Sequence, residues 1–225
     1  QLMPVINNNR DTLTTLQLRG CDLQSKDIVP ISRFIKNNST LNVLDIEVKL
    51  DSMRDTKSLS KAIKGHPEMT FVSLAKCGLG ADEKILKVVL DGVCNVKSLL
   101  LEGNSIGTQD NCLDLVGNFL TNNKNVTVFS IADNGIVGKK KTGVLSKAMK
   151  KNTTIQELCV GEQKIDVRPF LGSKRITDTL NYLDLGGCKM NTAGAKQMAA
   201  FVKSNPPLAQ LNLAKNGIPS STDTL

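Results

Sequence analysis

The sequence predicts an α/β solenoid of about eight stacked strand–turn–helix units, and three observations carry that prediction. An apolar motif recurs at a near-constant period, a small polar or thiol residue follows it at a fixed offset, and apolar pairs four residues apart come next. The clearest copy is Leu180 to Ile218, LNYLDLGGCKMNTAGAKQMAAFVKSNPPLAQLNLAKNGI, where LxxLxLxxCxM returns one unit later as LxxLxLxxNxI.

The units begin at Leu13, Leu41, Met69, Val96, Val126, Ile155, Leu180 and Leu208, with successive spacings of 28, 28, 27, 30, 29, 25 and 28 residues. A fixed period in this range means stacked supersecondary units. Within each unit, apolar residues stand at offsets 0, 3 and 5, as in Leu13, Leu16 and Leu18 or Val126, Phe129 and Ile131. The last two are two residues apart, so they share one face of a short strand.

The turn follows at offset 8, occupied by Cys21, Lys49, Cys77, Asn104, Asn134, Gln163, Cys188 and Asn216. A tight turn there wants a small side chain that bonds to backbone, which Asn and Cys satisfy and from which Lys49 and Gln163 depart. Unit 2 also carries Leu50 one place before offset 10, where the apolar residue is wanted and Asp51 stands, so its strand exit is expected to be distorted. Helices come next, marked by pairs at helical spacing: Ile31 and Ile35, Leu59 and Ile63, Leu86 and Leu90, Val116 and Leu120, Leu145 and Met149, Met198 and Val202. Each pair is expected to face inward as one stripe. Pro30 fits the first turn of its helix, where a missing amide costs little. Unit 6 is irregular, because Pro169 and Gly172 argue against a full helix after Ile165.

The motif LxxLxLxx(N/C)x(L/I/M), followed by a helix of about three turns, resembles the leucine-rich repeat family in its helix-bearing, ribonuclease-inhibitor-like subtype. Arrays of this subtype occur in NOD-like receptors, in Ran GTPase-activating proteins and in actin regulators of the tropomodulin and CARMIL kind. The resemblance implies a curved horseshoe with a parallel β-sheet on the concave face and helices on the convex face. Residues 1–225 read as a single leucine-rich-repeat array, and QLMPVINNN and PSSTDTL read as pieces of units, so the chain is expected to be an excerpt cut inside a repeat at both ends.

Chemistry of the catalytic kind finds few candidates. His66 is the single histidine and sits in the turn slot that Asn38, Asn123, Asn152 and Asn205 hold elsewhere. There is no metal-ligand spacing, no GxxxxGK(S/T) loop and no nucleophile–base pairing with a second histidine, so no enzyme activity, metal or cofactor is expected. Six cysteines without CxxC spacing read as reduced thiols in a cytoplasmic protein. Asn37, Asn38, Asn125 and Asn152 each begin an N-x-S/T triplet, and turn geometry explains them better than glycosylation.

The concave face of the implied horseshoe is where a partner is expected. Its rows are offset 2 (Thr15, Val43, Phe71, Ser98, Val128, Glu157, Tyr182, Gln210), offset 4 (Gln17, Asp45, Ser73, Leu100, Ser130, Cys159, Asp184, Asn212) and offset 6 (Arg19, Glu47, Ala75, Glu102, Ala132, Gly161, Gly186, Ala214). One arginine against Asp45, Glu47, Glu102, Glu157 and Asp184 makes this face −4 in a chain of net charge +8. An exposed apolar patch of Val43, Phe71, Leu100 and Val128 lies beside the carboxylates. The candidate contact residues are therefore Val43, Asp45, Glu47, Phe71, Leu100, Glu102, Val128, Glu157, Tyr182 and Asp184, suited to a protein partner with apolar and basic contact groups.

The segment Gly138 to Lys151, GKKKTGVLSKAMKK, carries six lysines. Without arginines or interleaved aromatics it reads as a solvated helix face rather than a nucleic-acid or anionic-lipid site. The overall expectation is a non-enzymatic interaction scaffold. The resemblance also implies three alternatives: a Ran-type GTPase activator, for which no acidic tail and no matching loop asparagine or arginine is found; a tropomodulin- or CARMIL-type actin regulator, echoed in KNTTIQEL and NNKNVTVFSIADNGI; and a NOD-like sensor array, which requires a nucleotide-binding domain upstream of Gln1.

Overall fold

Strands form wherever two alternating apolar residues can turn inward together. They are β1 (Thr15–Leu18), β2 (Val43–Ile46), β3 (Phe71–Ser73), β4 (Ser98–Leu100), β5 (Val128–Ser130), β6 (Glu157–Cys159), β7 (Tyr182–Asp184) and β8 (Gln210–Asn212). They make one eight-stranded sheet in chain order, each pair parallel. The computed structural model describes residue 9 and residues 11–167, 171, 179–204 and 208–217. The expectations for both chain ends and for the stretch with Pro169 and Gly172 fall outside those residues.

Six helices stand among the described residues: α1 (Ile28–Asn37), α2 (Met53–Lys64), α3 (Glu83–Gly92), α4 (Asp110–Asn122), α5 (Gly138–Lys151) and α6 (Thr192–Lys203). Ser52, Asp82 and Asn191 cap α2, α3 and α6 by accepting from the amides of Asp55, Lys84 and Gly194. Pro30 sits in the first turn of α1. Helices α1 to α5 pack on one another in order. Parallel strands are about 4.8 Å apart, whereas packed helices need about 8–10 Å. The sheet therefore takes the shorter, concave arc.

The core lies between the two layers. Leu44, Val72, Leu99 and Phe129 point into it from the sheet, and Ile31, Ile35, Leu86, Val116 and Leu145 meet them from the helices, all at most 2% exposed. Five of the six expected helix pairs are buried. The sixth is corrected: Met198 is buried, but Val202 is 52% exposed and Phe201, one residue earlier, faces inward instead. Spacings of three and four both return to one helix face, and here the bulkier aromatic takes the inward place.

Position 8 shows why the turn repeats. Asn104, Asn134 and Asn216 are buried, and each amide group donates to carbonyls of its own turn and of the preceding repeat. Their carbonyl oxygens accept amides of the preceding turn: Asn104 from Leu79, Asn134 from Asn104 and Ile106, Asn216 from Met190. Gln163, which the sequence reading set apart, performs the same role. It donates to Ile131 and Val160 and accepts from Asn134 and Ile136 at 3.0 Å each. Cys77 and Cys188 donate their thiols to the carbonyls of Ile46 and Val160.

Unit 2 breaks this ladder. Six other units place residues on both sides of position 8 in left-handed backbone, such as Gly20 and Asp22 or Gly103 and Ser105. Val48 and Leu50 occupy those places in unit 2 and do not adopt positive φ, a conformation that is strained for branched or bulky side chains. The chain stays extended, Val48 and Leu50 are buried, and Lys49 projects outward.

Candidate functional site: the open face of the sheet

Strand pairing aligns Val43, Phe71, Ser98, Val128, Glu157 and Tyr182 in one cross-strand row, and Asp45, Ser73, Leu100, Ser130, Cys159 and Asp184 in the next. Val43 is therefore the direct neighbour of Phe71. Ser98 separates Phe71 from Val128, and Leu100 lies diagonally between them, a separation of about 7–8 Å that long side chains bridge. All four apolar side chains are half-buried rather than fully exposed. Neighbours less than 5 Å away in the sheet shield them from both sides.

Two of the three rows are less open than the spacing suggests. Ser73 and Ser130 are buried, as are Ala75, Ala132, Gly161 and Gly186 in the offset-6 row. Backbone approaches closely there: a Cβ on Gly161 would stand 2.5 Å from the Gly186 carbonyl oxygen. Small residues at this end of the strands are a packing requirement.

The charges are also arranged in a way the rows alone do not show. Arg19 reaches from the first repeat across the face, with Nε 3.3 Å from Asp45, Nη2 3.8 Å from Glu102 and a 2.7 Å hydrogen bond to the Ser73 hydroxyl. One guanidinium thus spans four repeats and offsets two of the candidate carboxylates. The only signal in the sequence was its membership of the acidic row. At the other end, the Tyr182 hydroxyl donates to Asp184 at 3.2 Å, while the second Asp184 oxygen accepts the Gly186 amide at 2.8 Å. Burial, followed by the Asp184 charge, pushes the Tyr182 phenol pKa up. Glu157 is exposed and Glu47 half-buried.

The half-buried thiol of Cys159 in the sheet row and the buried turn thiols of Cys77 and Cys188 are not activated. Loss of solvation pushes Cys77 and Cys188 each up to about 12, and also raises Cys159. All six cysteines are free. No group of three or more potential metal ligands converges among the described residues. His66, buried in its turn, accepts the Glu68 amide at Nδ1 and has Nε2 3.3 Å from Asn38 Oδ1. Asn38 and Asn152 use their buried amides the same way, bonding to turn backbone. Those two triplets present no free amide nitrogen to a glycosyl group in the folded chain.

The Leucine Rich repeat family model matches residues 11–32 and 179–199, which fall on the first and seventh units of the array. Its unit is the strand–turn–helix module that the whole sheet repeats. The two matched segments are leucine-rich repeats, and the array as a whole has the leucine-rich-repeat fold with helix-bearing units. The crystal structure of the leucine-rich repeat-containing protein LegL7 from Legionella pneumophila is similar at a TM-score of 0.55 and 20% identity, over 92% of this chain and 65% of that one. The chain thus spans just under two thirds of the LegL7 structure. At TM-scores of 0.41 and 0.37 stand the tropomodulin C-terminal domain of Caenorhabditis elegans (10% identity, 90% of both chains) and actin-binding site 2 of leiomodin-1 (12% identity, 90% and 86%). No curated protein matches the sequence.

Proposed function

We propose that this leucine-rich-repeat array is a non-enzymatic scaffold that binds a partner protein on the open sheet face. The observation that carries this reading is the coincidence, on one preformed surface, of Val43, Phe71, Leu100 and Val128 with Asp45, Glu47 and Glu102. Half-buried apolar side chains on a rigid sheet bind with little loss of conformational freedom. Arg19 offsets part of the charge of Asp45 and Glu102, and the acidity that remains with Glu47 favours a partner segment with a basic side chain beside an apolar anchor over acidic competitors. Glu157, Tyr182 and Asp184 extend the same surface toward the last repeats.

The test is affinity capture from a lysate of the source cells, read by mass spectrometry, with Phe71→Asp and Leu100→Asp compared against the native chain. Both positions are half-buried and point away from the core, so the variants are expected to fold with nearly native melting temperatures. A loss of about 2 kcal/mol, typical of an anchor residue, lowers recovery of a true partner by more than tenfold. Recovery of the same partners at native level by both variants overturns the reading.

A further inference from the structure

The geometry points to a second interaction surface on the helix that the sequence alone reads as a solvated face: the outward face of α5 binds the headgroups of an anionic membrane, independently of the sheet face. The first observation is charge segregation. Residues 138–203 hold 13 lysines and arginines against five acids, a net of +8, which is the net charge of the whole chain. Two of those five acids, Glu157 and Asp184, lie on the opposite, sheet side. The rest of the sequence is balanced.

The second observation is the phase of the lysines. At 3.6 residues per turn, Lys139, Lys140, Lys147, Lys150 and Lys151 fall within one arc of about 120°. Thr142, Leu145, Ser146, Ala148 and Met149 occupy the inward side. Lys141 points elsewhere, donating to the Gly107 carbonyl and standing 4.0 Å from Asp110. Lys140 also pairs with Asp110, at 2.7 Å, while remaining 85% exposed. Helices α2 and α3 mix signs, and Lys64 of α2 is bonded to Asp91 of α3; α1 and α6 carry two basic residues each, against six lysines on α5.

The third observation is apolar. Among the described residues the large apolar side chains left exposed are Val137, at the edge of the basic stretch directly before α5, and Val202 on α6 within it. A lysine-rich face with an apolar residue at its end, as Val137 is for α5, suits a lipid headgroup layer. Helix α5 has no arginine fork and no aromatic platform for bases, which argues against nucleic acid. Attraction of this kind is reversible and screened by salt.

Flotation of the native chain with phosphatidylcholine vesicles containing about 30% phosphatidylserine tests this, at low and at high salt. Native chain is expected on the phosphatidylserine vesicles at low salt, absent from pure phosphatidylcholine and released by high salt. The triple variant Lys139→Gln, Lys147→Gln, Lys150→Gln should bind at least about tenfold more weakly, since each lysine near such a surface contributes several-fold. Its melting temperature, and retention of binding by the corresponding Lys→Arg variant, separate charge loss from misfolding. Equal binding by native and glutamine variants, indifference to phosphatidylserine, or full displacement by a short DNA duplex overturns the assignment.

Discussion

At the scale of single residues, the turns are held by side chains that imitate backbone. His66 shows the limit of that imitation, because its Nδ1 can accept the Glu68 amide only while neutral. Burial lowers its pKa, outweighing the raising effects of Asn38 and Glu68. The neutral form is therefore the folded form. As pH falls through the unfolded value, near 6.5, the unfolded chain takes up a proton first, and stability is lost from there downward. Melting temperature should fall between pH 7 and 5 in the native chain. His66→Asn, which installs the side chain other repeats use at this slot, should lessen that fall; an unchanged pH slope would show that other groups cause it. Asparagine was legible here from register alone, whereas the reach of Arg19 across four repeats was not, since nothing local marks a long side chain's direction.

Between elements, the position-8 ladder joins neighbouring turns where the strands end. Asn134 is its centre: fully buried, it donates to the carbonyls of Leu101, Ile131 and Ala132 and accepts the amides of Asn104 and Ile106. Truncation to alanine leaves those groups buried without partners, at about 1–3 kcal/mol for each that water cannot reach. Asn134→Ala is expected to lower unfolding free energy in urea by about 3 kcal/mol; a change below 1 kcal/mol would show that water or a shifted turn replaces the amide. Gln163 was misjudged in the sequence because one extra methylene looks like a mismatch, yet the turn of unit 6 accommodates it and its amide makes equivalent bonds. Unit 2, by contrast, was legible, because Val48 and Leu50 cannot cheaply take left-handed backbone.

Over the whole molecule, each repeat rests only on its neighbours, so stability is distributed along the array. Central strands have partners on both sides, with Val72 and Leu99 wholly buried, whereas Leu211 and Leu213 of the last repeat are only half-buried. Amide hydrogen exchange should be slowest in β3 to β5 and fastest in β8. Uniform protection from end to end would mean that the chain opens as a single unit. The two proposed surfaces lie on opposite layers, acidic and apolar on the sheet, basic on α5, so a protein partner and a membrane would not compete for the same ground.

Register was determined by the sequence alone. Offsets counted from Leu13 through Leu208 predict the cross-strand rows that the sheet forms, because a parallel strand in a stack has one inward phase and a one-residue slip would expose the core set. Fold and candidate rows follow from that. Tertiary structure decided what periodicity does not encode: that Ser73, Ser130 and the glycines of the offset-6 row are closed off by neighbouring backbone, that Arg19 offsets part of the acidic face, and that Phe201 rather than Val202 turns inward. Each depends on distances between residues far apart in the chain, and the packing of adjacent repeats sets those distances.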